Sequence, residues 1–275
     1  MKKRRRPTVA ELLAQKGQRQ LSMLRVVTFD EASAAQQAGI DLLSVPPALL
    51  GPQLREAASE CFLIPGLEYG DFVTPEDYLR AAFQALRHGA DAVYCAASMM
   101  IVRRLRDEGI PVCGHCGLIP SQATWTGGFK AVGTTASSAL HVWRQVQALE
   151  EAGAFAAEIE VVPEHVARLI CERTRMLMIA MGSGVGGDAQ YLFATDVLGS
   201  NRGHVPRHAK VYRNFAAEHD RLQAERIAAF GEFGRDVASG AFPGKAHQVD
   251  ISEQELDEFR RALGNSVQTR DDRSG

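Results

Sequence analysis

The sequence predicts an α/β protein whose fold class is a parallel (β/α)8 TIM barrel, with an N-terminal helix and a C-terminal helical extension. Eight short apolar runs alternate with helical patterns along the chain. Several of these runs lack alternating polar residues, which is typical of strands covered on both faces in a parallel sheet. The length of 275 residues suits one barrel of this kind. A doubly wound open sheet is the alternative for the same pattern.

Strands are predicted at the apolar runs, and helices at the capping signals between them. One helix follows the N-cap residue Thr74, with Pro75 at its first position and Gly89 at its end. Another, in TVAELLAQKG, precedes the first strand and is expected to close the bottom of the barrel. A long amphipathic helix is expected from about Pro206 to Ser239. The predicted strands are residues 24–29, 40–45, 61–65, 91–96, 110–115, 155–162, 176–182 and 190–195.

Three parts are expected along the chain. Residues 1–7 form a basic tail, residues 8–249 a single barrel domain, and residues 250–275 a C-terminal helix with a loose tail. Ser252 and Glu255 form a capping box at the start of that helix. We interpret the N-terminal KKRRR run as solvated, with a contact to nucleic acid or lipid as the alternative.

The composition argues against several classes of function. The formal net charge is −2, so the protein as a whole has no field that favours nucleic acid or an anionic membrane. No apolar run approaches the length of a membrane span, and the basic start lacks the apolar region of a secretory signal. Five cysteines, an odd number, indicate reduced thiols and a cytoplasmic location.

Two glutamates stand inside an apolar strand, in the stretch FAAEIEVVPEHV. Glu158 and Glu160 share one face of the strand, with Cα atoms roughly 6.5 Å apart. Two carboxylates in an apolar surrounding resist ionising together, which suits general acid or base catalysis. The alternative is that one or both pair with an arginine or a lysine.

The fifth predicted strand ends in CGHC. His115 lies at a strand end, where barrel enzymes place catalytic residues, so we expect it to be functional. The CGHC spelling also matches a dithiol redox motif, but such a motif needs a helix N-terminus. A metal site of Cys95, Cys113, His115 and Cys116 is disfavoured as well, because a strand turns Cys113 and Cys116 to opposite faces.

A glycine-rich stretch, GSGVGGD, follows the seventh predicted strand. We interpret it as a glycine turn before a helical Asp188. As a phosphate-binding loop it is a weak signal, and a tight turn that lets a substrate approach the backbone is the preferred interpretation. Ser183 and Gly184 are therefore candidate substrate-binding residues.

Four stretches together carry a family signature: PVCGHCGLIPS with GGFKAVG, EEAGAFAAEIEVVPEHVA, GSGVGGDAQYLFATDVLG and DVASGAFPGKAH. From about Thr8 to Val249 the chain resembles the ketopantoate (3-methyl-2-oxobutanoate) hydroxymethyltransferase family. The resemblance implies a barrel of the phosphoenolpyruvate mutase and isocitrate lyase type, usually in a large homo-oligomer. It implies a magnesium ion that chelates a 2-oxo acid, a base that removes the C3 proton, and an enolate that attacks methylene-tetrahydrofolate. The base corresponds to Glu160 and the strand-five histidine to His115.

Other family positions differ in this sequence. The VGDS segment, with a metal-binding aspartate and a substrate-binding serine, is VPPA here, with Pro47 and Ala48. A second metal-binding aspartate corresponds to Pro65. The lysine and the metal-linked glutamate of KLEGG correspond to Tyr94 and Ala96. Proline and alanine have no side-chain oxygen for Mg²⁺, which carboxylates normally hold. We therefore expect the family metal to be lost.

The resulting prediction is a repurposed enzyme that carries out metal-independent acid–base chemistry on a carbonyl-bearing small molecule, in a setting such as specialised metabolism. The reaction is an isomerisation, cyclisation, decarboxylation or C–C bond step. Glu160, His115 and Glu158 are the predicted catalytic residues. The predicted substrate-binding residues are Tyr94, Ser183, Gly184 and Ala48. We expect no metal and no methylene-tetrahydrofolate as cofactor, a homo-oligomer, and neither nucleic acid nor membrane as partner.

Two alternatives stay open from the sequence. One is a non-catalytic homologue that acts as a partner of a true transferase or as a ligand-binding scaffold. The other is a genuine 3-methyl-2-oxobutanoate hydroxymethyltransferase whose metal ligands have moved to residues such as Glu68, Asp71 or Asp188.

Overall fold

In the computed structural model, which describes residues 5–271 and the side chains up to residue 263, eight parallel strands form a nearly closed barrel surrounded by helices. Their order in the sheet is β3-β2-β1-β8-β7-β6-β5-β4. An isolated bridge between Gly66 and Tyr94 joins the two ends of that order. The predicted fold class is confirmed. The strands are β1 (Leu21–Arg25), β2 (Leu42–Val45), β3 (Phe62–Pro65), β4 (Val93–Tyr94), β5 (Val112–Gly117), β6 (Ala156–Glu160), β7 (Leu177–Met181) and β8 (Ala189–Phe193).

Helices connect most of the strands, as the alternating sequence pattern predicts. They are α1 (Val9–Ala14), α2 (Phe29–Gln37), α3 (Pro52–Ala57), α4 (Pro75–Arg87), α5 (Met99–Asp107), α6 (Ala123–Thr126), α7 (Ala136–Glu151), α8 (Glu164–Cys171), α9 (Ala194–Leu198), α10 (Phe215–Ser239) and α11 (Glu253–Asp271). Helix α4 begins after Thr74, whose side chain accepts a hydrogen bond from the Asp77 amide in a capping box. No helix of the described residues is long and apolar enough to cross a membrane.

The chain divides into two compact units, Met1–Ala216 and Ala217–Gly275. The first unit contains the barrel. The second contains α10 from Ala217 onward and α11, where the Ser252 hydroxyl accepts a hydrogen bond from the Glu255 amide as the capping signal predicts. The predicted domain limits, residues 8–249 and 250–275, stay a prediction.

Three elements differ most from the sequence prediction in their boundaries. Strand β1 lies at Leu21–Arg25 instead of residues 24–29, because Thr28 caps α2 and accepts a hydrogen bond from the Glu31 amide. The long helix expected from Pro206 begins at Phe215. Helix α11 continues to Asp271 through most of the segment predicted as a loose tail, and residues 272–275 lie outside the described part of the chain.

The connection between β7 and β8 also differs from its prediction. Asp188 is not helical but directly precedes β8, where it accepts hydrogen bonds from the Met178 amide at 2.8 Å and from the Lys16 ammonium group at 2.7 Å. Residues 182–188 return along the outside of the barrel without a helix. At Gly186 and Gly187 a Cβ atom would lie within 2.8 Å of α8 or β7 atoms. The glycines thus let this loop pack closely against the barrel wall.

The interior of the barrel is apolar at its amino-terminal end. Side chains from the starts of the strands, including Leu21, Leu42 and Phe62, form one buried cluster with Leu12 of α1. Leu12 is 2% exposed, so the first helix closes this end as predicted. On β5, Cys113 belongs to the interior cluster and Cys116 to the cluster between strands and helices. This placement confirms that the two thiols face opposite sides of the strand.

The basic N-terminal segment makes defined contacts where it is described. Arg5 forms an ion pair with Glu11, and Arg6 lies 3.3 Å from Asp91. Both arginines are more than 40% exposed, so these pairs contribute little to stability.

Replacing Leu12 by alanine tests the closing role of α1. The substitution leaves a cavity beneath the barrel, so the free energy of unfolding should fall by about 2–5 kcal/mol. Leu13→Ala is the matched control, since Leu13 is the neighbouring and only partly buried leucine. Urea unfolding followed by circular dichroism measures both losses. Equal losses would show that Leu12 has no special part in closing the barrel.

Candidate active site

Four polar side chains meet inside the carboxyl-terminal end of the barrel. Strands β5 and β6 are parallel and in a register that pairs His115 with Glu158 and Gly117 with Glu160. Tyr94, the last residue of β4, contacts the same group. Tyr94, His115, Glu158 and Glu160 line a cavity of about 330 Å³. The strands therefore bring together the three predicted catalytic residues and one predicted substrate-binding residue.

His115 is the centre of this cluster. Its Nδ1 lies 2.8 Å from the Tyr94 hydroxyl and 3.3 Å from Glu158 Oε2. Its Nε2 lies 2.8 Å from the Leu118 carbonyl oxygen and 3.3 Å from Glu160 Oε2. The His115 side chain is only 1% exposed. Both ring nitrogens of His115 thus face oxygen atoms of the protein.

These neighbours decide the protonation state of His115. Burial by itself lowers the pKa of an imidazole, because it disfavours the charged form. Here the closeness of the Glu158 and Glu160 carboxylates outweighs burial and raises the pKa of His115 to about 9. His115 is therefore an imidazolium at neutral pH and carries a hydrogen on both ring nitrogens. Nδ1–H then donates to the Tyr94 oxygen, and Nε2–H donates to the Leu118 carbonyl.

Tyr94 remains a neutral phenol in this setting. Burial, followed by the nearby negative charge of Glu158, raises its pKa far above the ordinary value for tyrosine. Since its oxygen accepts the hydrogen of His115 Nδ1, its own O–H is available to donate. Tyr191, on β8, lines the same cavity, and burial likewise raises its pKa. The cavity thus combines hydrogen-bond donors that stay protonated with carboxylates that can accept.

Glu160 has a carboxylate oxygen that can still accept a hydrogen bond. Its Oε2 atom is buried and lacks a hydrogen-bond donor, although it lies 3.3 Å from His115 Nε2. The Nε2–H bond is directed at the Leu118 carbonyl instead, so the approach of the two side chains is electrostatic. An unpaired buried carboxylate oxygen is costly, and such atoms are found where a ligand or a reaction uses them.

The rim of the cavity contains residues that sequence reasoning missed. Arg25, at the end of β1, donates a hydrogen bond to the Ser44 hydroxyl at 3.2 Å and lies 3.5 Å from Glu68. Its guanidinium lies over the ring of Phe193, 5.9 Å from the centroid. The sequence signal for Arg25 is its position at the carboxyl end of a strand. The predicted strand, residues 24–29, put Arg25 near its start, so this position was missed.

A second and larger cavity adjoins the first. It measures about 700 Å³ and shares Glu160, Met181 and Phe193 with the first cavity. Its lining contains apolar side chains, among them Phe129 and Leu192, and several basic ones. The basic residues are Lys130, His204, Arg207 and His208. Glu160 therefore lies between the two cavities and lines both.

The other predicted substrate-binding residues lie outside the first cavity. Ser183 is fully buried, and its hydroxyl accepts from the Val162 amide and donates to the Ile159 carbonyl. Gly184 packs so closely on the Glu164 side chain that a Cβ atom would collide with it. Ala48 lines a different cavity, beside α4. A direct substrate contact for these three residues stays a prediction.

The alternative metal ligands do not come together. Asp188 lies at the start of β8, at the opposite end of the barrel from Glu160, and pairs with Lys16. Glu68 and Asp71 line the cavity beside α4, and Glu68 also lines the main cavity, where it pairs with Arg25. No relocated magnesium site is formed by these three residues.

The residues of the main cavity do not fit a magnesium ion either. Among the described residues there is no group of three or more His, Cys, Asp or Glu side chains that could hold a metal. Glu158 Oε2 and Glu160 Oε2 each lie 3.3 Å from a ring nitrogen of His115, so the imidazole stands between the two carboxylates. In the neighbouring cavity, Pro47, two residues after β2, and Pro65, the last residue of β3, offer no side-chain oxygen to a hard cation.

Fold and site together define a class. The molecule is a (β/α)8 barrel with a buried carboxylate–imidazolium–carboxylate cluster at the carboxyl ends of its strands, where barrel enzymes carry out their chemistry. A putative phosphonomutase from Burkholderia cenocepacia has the same fold, with a TM-score of 0.54, 14% identity, and coverage of 82% of this chain and 99% of its own.

Sequence comparison gives the family within that class. A family model described as ketopantoate hydroxymethyltransferase matches residues 48–245. The 3-methyl-2-oxobutanoate hydroxymethyltransferase of Pyrococcus abyssi is 30% identical over 92% of this chain and 95% of its own length. That of Thermus thermophilus is 34% identical over 88% of this chain and 99% of its own length. The chain belongs to the ketopantoate hydroxymethyltransferase family, which is a family of enzymes.

Titration of His115 tests the electrostatics of the cluster. Imidazole NMR signals of His115, assigned by their loss in His115→Gln, should titrate with a midpoint near pH 9, as its raised pKa requires. Glu158→Gln removes one of the two carboxylates and should move the midpoint to lower pH. Glu76→Gln, an exposed glutamate on α4, is the control and should leave it unchanged. A midpoint near 6.5 in the wild type would show that His115 is neutral at physiological pH.

The same shift makes stability depend on pH. The pKa of His115 is about 9 in the folded protein and about 6.5 when unfolded, so its contribution is full below pH 6.5 and is lost as pH rises through 9. The loss should be on the order of 3 kcal/mol in the free energy of unfolding. His115→Gln should lack this part of the pH dependence.

Proposed function

We propose that this protein is an enzyme that enolises a carbonyl-bearing small molecule by acid–base catalysis without a divalent metal. The observation that carries the proposal is the buried Glu160 oxygen that lacks a donor, placed beside a Tyr94–His115 donor pair in one cavity. A base without a competing donor and a donor for the carbonyl oxygen are the two groups that enolisation requires.

Each residue has a definite part in the proposed step. The Glu160 carboxylate takes a proton from the carbon next to the carbonyl. The electron pair of that C–H bond forms the C=C bond of the enolate, and the π pair of the carbonyl moves onto its oxygen. The Tyr94 O–H donates a hydrogen bond to the resulting enolate oxygen. His115 donates to the Tyr94 oxygen and thereby strengthens Tyr94 as a donor. Glu158 keeps His115 protonated. Glu160 later returns its proton or passes it on.

Two features at the mouth of the first cavity favour a transfer reaction over the other predicted reactions. The Arg25 guanidinium at the mouth of the first cavity suits a substrate with a carboxylate, such as a 2-oxo acid. The adjoining cavity provides space for a second reactant next to Glu160. The relatives from P. abyssi and T. thermophilus are named for transfer of a hydroxymethyl group to a 2-oxo acid. We therefore propose a C–C bond step that follows enolisation, in place of an isomerisation or a decarboxylation.

Solvent-deuterium exchange into 3-methyl-2-oxobutanoate, followed by NMR, tests the proposal. The wild type should exchange the C3 proton at the same rate with and without a strong chelator, because the donors that stabilise the enolate belong to the protein. Glu160→Gln should lower the rate by about 10²–10⁴, the usual contribution of a general base. The exposed Glu76→Gln variant removes one negative charge outside the site and should retain the wild-type rate.

Three other outcomes of the exchange experiment would each contradict one part of the proposal. Exchange that stops with the chelator would contradict metal-free catalysis and revive a metal-dependent family reaction. Exchange that persists in Glu160→Gln would contradict its role as the base. No exchange with this substrate under any condition would contradict a 2-oxo acid as the substrate, and larger carbonyl compounds would be screened next.

We also propose a homo-oligomer, supported by the surface of α10. None of its residues is buried, although Ile227, Phe230, Phe233 and Val237 recur along one face at helical spacing. Their exposures are between 50% and 73%. Exposed apolar stripes of this kind mark protein–protein contacts, and a second copy of the chain is the proposed partner.

Light scattering coupled to size exclusion tests the oligomer. The wild type should elute as a multimer, and Phe230→Glu should reduce its mass, because the substitution buries a charge in the proposed contact. Glu232→Gln lies on the opposite face of the same helix and should not change the mass. A monomeric wild type, or an unchanged mass for Phe230→Glu, would contradict the proposal.

A further inference from the structure

We propose that Ser183 and Gly117 hold the backbone of Val161 in a left-handed conformation, and that this arrangement positions Glu160 in the cavity. The inference rests on the proposed role of Glu160 as the base. Ser183 and Gly117 are thus positioning residues. They contact the backbone around Glu160 and not the substrate.

Val161 directly follows Glu160 and has an unusual backbone. Its φ angle is +50°, which is a costly conformation for a β-branched residue. It is the one non-glycine residue with positive φ in the described part of the chain. Strain of this kind persists only where surrounding contacts determine it, and it concentrates at functional sites.

Hydrogen bonds fix the strained turn from both sides. The Ser183 hydroxyl donates to the Ile159 carbonyl at 2.9 Å and accepts from the Val162 amide at 3.0 Å. These two partners bracket Glu160 and Val161. The Val161 amide also donates to the Met181 carbonyl at 2.9 Å, and the Val161 carbonyl accepts from the Val132 amide at 3.1 Å. All the backbone groups next to Glu160 on its C-terminal side are thus satisfied.

Gly117 provides the space for this arrangement. A Cβ atom at Gly117 would lie 2.5 Å from the Glu160 carbonyl oxygen and 2.8 Å from Val162 Cγ2. The Leu118 amide donates to the same carbonyl at 2.9 Å. A side chain at position 117 would therefore push the Glu160 backbone away from β5, and with it the carboxylate from His115.

The geometry has a direct consequence for Glu160. The left-handed residue turns the chain toward Pro163 and α8 immediately after the last residue of β6. Glu160 therefore keeps the side-chain direction of a strand residue, into the barrel, while the chain leaves the barrel one residue later. Without the turn, the orientation of the carboxylate would vary, and its oxygen would lose its fixed place beside the Tyr94–His115 pair.

Ser183→Ala is the principal test, with Thr174→Ala as the matched control. Thr174 is also a buried hydroxyl that donates and accepts, toward Glu150 and the Met176 amide, but it contacts no residue of the site. Both substitutions should cost similar stability. Ser183→Ala should also lower kcat for C3 exchange by about 10–100-fold with little change in KM, since small misplacements of a reacting group carry such losses. Thr174→Ala should keep wild-type kcat.

A second variant keeps the test decisive if Ser183→Ala fails to fold. Val161→Gly removes the strain, because glycine accepts positive φ freely, so stability should be unchanged or higher. The turn becomes mobile at the same time, and kcat should fall. Unchanged kcat in both variants, or an equal loss in Thr174→Ala, would overturn the positioning role.

An NMR readout separates this inference from the proposed reaction. If Glu160 moves away, the pKa of His115 should fall in Ser183→Ala and stay at its wild-type value in Thr174→Ala. A wild type without exchange activity would count against the proposed function, and this comparison would still decide the inference. An unchanged His115 pKa in Ser183→Ala would overturn it.

Discussion

The imidazolium of His115 between two carboxylates is the interaction on which the site depends. A buried carboxylate is costly unless something compensates its charge, and this strand places two of them on one face. The parallel register of β5 and β6 places His115 directly opposite Glu158. Glu160 lies two residues further along β6, on the same face. One cation thus serves both acids. The barrel contributes the register, and the register makes it possible to bury Glu158 and Glu160 in an otherwise apolar strand.

The backbone around the cluster shows how that register is kept. Gly117 allows β5 and β6 to approach at the barrel mouth, and the strained Val161 ends β6 one residue after Glu160. Neither feature stabilises the fold by itself. Both cost free energy that the surrounding hydrogen bonds, including those of the Ser183 hydroxyl, offset. The strained backbone of Val161 lies directly beside the candidate base Glu160. The surrounding contacts therefore fix the backbone conformation at this point more closely than elsewhere.

The sequence predicted the barrel and the centre of the site because both depend on local patterns. Apolar runs marked all eight strands, and strand ends marked Glu160 and His115. It did not predict Arg25 at the rim, because a boundary error of three residues moves a strand-end position into the strand. It predicted a helical Asp188, whereas Asp188 directly precedes β8, because a run of glycines does not show which element follows it. Nor could it show that the cation beside Glu158 is His115 and not an arginine, since that depends on the register between strands.

The charges of the cluster constrain its chemistry. In the proposed step, one imidazolium that acts through a neutral tyrosine takes the place of a divalent ion at the enolate oxygen. Such a donor pair stabilises a developing negative charge less than a metal ion does in water. In a cavity shielded from solvent, however, a hydrogen bond from a preorganised and charge-assisted donor is strengthened. Pro47 and Pro65, which offer no side-chain oxygen, and the raised pKa of His115 both agree with the proposed metal-free step. A retained metal would compete with the imidazolium for the same carboxylates, and the imidazolium has both of them as direct neighbours.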